Sequence, residues 1–147
     1  GAYNYGTSSN YRSGECATLA VAKRFGDRCS NVAANFNMMK RIAGGSTPDY
    51  SSIRTVCEQL SAMPQQRKLV VVITDGYGDV AEMAKLTRAS YDLYGVDIIG
   101  FGIGCWGKQF GEVYALGSPV MSLDTLHTTA LKAVVKQLDL RDTRRAA

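Results

Sequence analysis

The chain has a single histidine, His127, among 147 residues, and that scarcity removes whole classes of chemistry. No His-Glu-x-x-His pair of metal ligands exists, and a Ser-His-Asp relay would run through one side chain in the first turn of a predicted helix, where capping or surface exposure is the ordinary role. The four cysteines, Cys16, Cys29, Cys57 and Cys105, never come as Cys-x-x-Cys, so a zinc site lacks both thiolate pairs and the imidazoles to complete them. Cys57, on the apolar face of a predicted helix, and Cys105, just beyond a predicted buried strand, suit reduced and packed thiols, which implies a cytoplasmic setting. There is no apolar run near the roughly twenty residues that a membrane helix needs, and no signal-peptide pattern. A Gly-x-Ser-x-Gly elbow and a phosphate loop ending in Gly-Lys-Ser or Gly-Lys-Thr are missing as well. Net charge is +4, but the basic residues sit in small groups without interleaved aromatics: Lys40 with Arg41, Arg67 with Lys68, and Arg141, Arg144 and Arg145 at the end. Nucleic acid is therefore not the expected partner.

What is present fits one domain of residues 1–140 with a basic tail at 141–147, since 46% hydrophobic content fills a single core at this length. The most informative segment is Leu69 to Gly76, LVVVITDG. Its unbroken apolar run predicts a strand buried on both faces, as in a parallel sheet covered by helices. Asp75 then falls at the strand's carboxyl end, the edge where open α/β sheets bind ligands. Asp-Gly in that position is also ordinary turn chemistry, because glycine accepts positive φ and aspartate bonds its own backbone.

Periodicity sets the rest of the order. The opening AYNYGTSSNY reads as a chain that begins partway through a strand, as a piece of a longer protein would. ATLAVAKRF fits a strand or a short helix, and the strand is taken. Val32, Phe36 and Met39 sit at helical spacing after a Ser30 or Asn31 cap, up to Gly44-Gly45. Thr47 caps a second helix that opens with Pro48 and Asp49 and runs to Leu60, with Ile53, Val56, Cys57 and Leu60 on one face. A third helix from about Val80 to Tyr94 carries Val80, Met83, Ala84, Thr87, Tyr91 and Tyr94 along one side. VDIIGF is a second buried strand, followed by a short helix at about 110–116 and an edge strand at 119–122. Ser122 or Asp124 caps a last helix with Leu126, Ala130, Val134 and Leu138 inward. Such alternation predicts a Rossmann-like, doubly wound α/β fold with a mostly parallel sheet between helices. Right-handed crossovers would line up Thr47, Asp75 and the 102–106 loop along one edge.

Two constellations on that edge invite chemistry. Gly100, Gly102 and Gly104 suggest a dinucleotide cradle, but Gly107, three positions on, falls ahead of the helix expected at about 110–116 and no strand-end acid follows about twenty residues later, so close packing is the competing explanation. Asp75, Asp79 and Glu82 cluster in sequence, as acids near a helix start commonly do. A hydroxyl at Thr47 and a carboxylate at Asp75 together make an oxygen-ligand site of the kind that hard cations such as magnesium accept.

These segments resemble a known family. Gly44-Gly45-Ser46-Thr47-Pro48 opening a helix, then LVVVITDG, then VDIIGFGIG, is similar to the von Willebrand factor A domain over roughly Ala17 to Leu138. Within it, the spacing of AVAKRFGDR, QQRKLVVVITDG and IGFGIG resembles the intracellular bacterial and phage branch found in the cobaltochelatase subunit and the nitric-oxide-reductase activation protein. The resemblance implies a metal-ion-dependent adhesion site in which Thr47 and Asp75 are metal ligands, the aspartate acting through water. It also implies a magnesium or manganese ion, no catalytic activity of the domain's own, and a protein partner such as an AAA+ ATPase. Ser46, Gly76, Tyr77 and Trp106 fall where rim contacts would be.

The departure from the family is as informative. Its first strand ends in Asp-x-Ser-x-Ser, and no such motif exists here; Thr7-Ser8-Ser9-Asn10 carries hydroxyls but no acid. The chain is expected to lack the first strand and helix, to bind metal weakly and to leave a sheet edge open. A metal-free structural or interaction domain, and a nucleotide- or phosphate-binding enzyme, remain as alternatives.

Overall fold

Where apolar runs alternate with amphipathic stretches in the sequence, the computed structural model places strands and helices in turn. It describes residues 2–6, 18–24, 27–28, 30, 32–42, 49–75, 80–104 and 107–146. Near the start, β1 (Ala2–Gly6) and β2 (Thr18–Lys23) pair antiparallel, Tyr3 opposite Val21 and Tyr5 opposite Leu19. ATLAVAKRF is thus a strand over its centre, as its β-branched Thr18 and Val21 favour. Helix α1 (Ala33–Ile42) lies against β2, and Asn35 Nδ2 donates to the Ala22 carbonyl at 2.9 Å.

The second sheet is the Rossmann-like part. Strands β3 (Leu69–Thr74), β4 (Asp97–Ile103) and β5 (Gly117–Val120) run parallel in the order β3-β4-β5. They are joined by α3 (Val80–Tyr94) and α4 (Gly107–Val113), preceded by α2 (Asp49–Ser61) and followed by α5 (Leu123–Ala146). In a parallel ladder, residues in register share a face, so Val70 with Ile98 and Val71 with Ile99 define the two sides.

One side packs Val70 and Ile98 against Ile53, Val56, Cys57 and Leu60 of α2, Met83 and Leu86 of α3, and Phe110 and Val113 of α4. On the other, Ile99, Phe101 and Val120 pack against Leu126, Ala130, Ala133 and Val134 of α5. Phe101 is fully enclosed, and truncating such a ring costs about 3–5 kcal/mol.

Several boundaries and faces differ from expectation, each for a local reason. β5 lies two residues earlier than the expected edge strand because Ser122 is committed to the next helix: its Oγ accepts from the Asp124 N–H at 3.2 Å. The short helix α4 starts at Gly107, ahead of the expected 110–116. Helix α5 continues to Ala146 through Arg141, Arg144 and Arg145, cations that suit the negative end of a helix dipole. On α3 the buried residues are Met83, Leu86 and Ser90, so the inward stripe is rotated and Tyr91 is 38% exposed.

The largest correction concerns β3. It was expected to be buried on both faces, yet Val71 is 42% and Ile73 53% exposed. The reason is positional: β3 has β4 on one side and no strand on the other among the described residues, and α5 spans β4 and β5. No described helix is long and apolar enough to cross a membrane.

Candidate functional site

The carboxyl edge of the parallel sheet is assembled by strand register. Thr74, the last residue of β3, stands in register with Gly102 of β4, so Asp75 and Gly104 both leave the sheet at that edge. Thr74 and Gly102 are buried, whereas Asp75 is exposed, its carboxylate at the boundary with solvent. Strand β3 ends there because its β-branched run gives way to aspartate, which favours turns over ladders.

Lys68 Nζ donates to the Ser61 carbonyl at 2.9 Å, which fixes the carboxyl end of α2 beside the start of β3. Asp49 lies in the first turn of α2. Asp49 is buried, 6% exposed. Sequence reasoning placed it in the first helical turn without assigning it to the site.

Of the expected site residues, Asp75 directly follows the last residue of β3 and is exposed. Thr47, Ser46, Gly76, Tyr77 and Trp106 lie outside the described residues, as does Asp79. Glu82 does not join Asp75 in a described cluster; it accepts from Lys85 Nζ at 2.7 Å on the surface of α3. His127 is exposed near the start of α5. Among the described residues, no three of histidine, cysteine, aspartate and glutamate come together as a metal-binding group. A closed, all-protein cage is thus not formed by them, whereas a hard cation that keeps most of its waters needs only one or two carboxylates.

Gly100, inside β4, and Gly117, at the start of β5, have a packing role. A Cβ on Gly100 would lie 2.3 Å from the Tyr114 ring, and one on Gly117 would lie 1.8 Å from the Gly100 carbonyl oxygen. The ring of Tyr114 crosses the sheet directly over Gly100, tilted against Phe110 at 5.2 Å between centroids. Close contact, not phosphate access, accounts for Gly100.

With this geometry in view, the chain was compared with known proteins. No family model, curated protein or solved structure matches it. What stands is an α/β unit whose three-stranded parallel sheet is flanked by helices, with an exposed aspartate at its carboxyl edge.

The buried Cys57 thiol, on the opposite side of α2 from solvent, is chemically quiet. Burial pushes its pKa up from 9.0 to about 11, and the neighbouring Glu58 carboxylate adds to the effect. A thiol held protonated at neutral pH is a packing element, not a nucleophile or metal ligand.

Proposed function

We propose that the chain is the greater part of a von Willebrand factor A-type domain, working as a metal-ion-dependent interaction module without catalysis of its own. Asp75 and Thr47 hold a magnesium or manganese ion, and the ion docks an acidic side chain of a protein partner. Ser46, Gly76, Tyr77 and Trp106 form the rim. The observation that carries this is the exposed carboxylate of Asp75 at the carboxyl end of a parallel strand.

The first strand and helix, with Asp-x-Ser-x-Ser, belong upstream of Gly1. The edge of β3 that no described strand pairs with, and the exposed Val71 and Ile73, support this: a further strand would pair with that edge, and a helix beside α5 would cover those two side chains. Without those ligands the ion is held weakly. The resemblance to chelatase-type proteins points to an AAA+ ATPase subunit as partner, in the cytoplasm.

Titration calorimetry with manganese chloride tests the ligand pair. Asp75→Ala is expected to weaken binding while leaving the thermal unfolding midpoint near that of the parent chain, and Thr47→Ala to weaken binding and, by removing the expected helix cap, to cost about 1 kcal/mol of stability. Equal binding by parent and variants overturns the assignment.

A metal-free interaction domain is the second account, favoured by the edge of β3 that no described strand pairs with. On that account a partner adds a strand to β3, so Val71→Lys weakens capture and Asp75→Ala does not.

A further inference from the structure

We draw no further inference here: the strongest candidate, the open edge of β3 with the exposed Val71 and Ile73 beside it, belongs to the strand and helix already proposed, and nothing in the structure shows another occupant.

Discussion

Val71 and Ile99 stand side by side on one face of the sheet, in register across β3 and β4, yet Ile99 is 1% exposed and Val71 42%. The difference is made entirely by what lies above them. Helix α5 covers Ile99 and stops short of Val71.

Ile99→Ala is accordingly expected to cost about 2–5 kcal/mol in urea denaturation, and Val71→Ala no more than about 1 kcal/mol. In a longer polypeptide that supplies the covering strand and helix, the Val71→Ala cost rises toward the 1.5–3 kcal/mol or so that full burial of such a side chain contributes. Equal costs at the two positions in this chain contradict the open face.

The contact of β4 with β5 depends on two glycines that leave no room for a side chain. Gly117 has φ +127 and its missing Cβ would collide with the Gly100 backbone, so Gly117→Ala must separate the strands. Loss of cooperative unfolding, read by near-ultraviolet circular dichroism, is the expected result. Gly95, with φ +65 and open space around it, is the control: Gly95→Ala strains only the backbone and costs about 1–2 kcal/mol.

Cys57 carries a pH dependence whose sign follows from its raised pKa. Below pH 9 the thiol is protonated in folded and unfolded chains alike, and it does not alter their balance. Between pH 9 and about 11 the unfolded thiol ionises first, so stability falls across that window. The parent chain is expected to lose more stability there than Cys57→Ala does, and alkylation at pH 8 is expected to be slow until denaturant is added.

Thr87 joins α3 to α4 through its hydroxyl, which donates to the Val113 carbonyl and also lies 3.2 Å from the Ala84 carbonyl. Thr87→Val keeps the shape and removes the donor. A loss of about 1–3 kcal/mol, with faster hydrogen exchange in α4, is the expected outcome.

The order of elements was legible because the apolar spacing of Ile53 to Leu60, and the run LVVVIT, each fit one periodicity. Face and boundary were less so. Val71 and Ile73 have the same character as Val70, and only the neighbour that β3 lacks distinguishes them. The position of Tyr91 on α3 turned on Leu86 and Ser90, which pack inward although the apolar stripe through Met83 and Thr87 fits the helix equally well. At the site, Asp75 was readable from an apolar run ending in an acid. The burial of Asp49 was not, because a carboxylate in a first helical turn is ordinarily exposed.

Manganese added to isotopically labelled protein tests the central claim most directly, since a paramagnetic ion broadens nearby amide signals even when held weakly. The proposal predicts broadening first at Asp75 and then at Thr74, Gly104 and Asp49, abolished by Asp75→Asn. Broadening centred on other acids such as Asp92 or Asp139, or unchanged by Asp75→Asn, contradicts it.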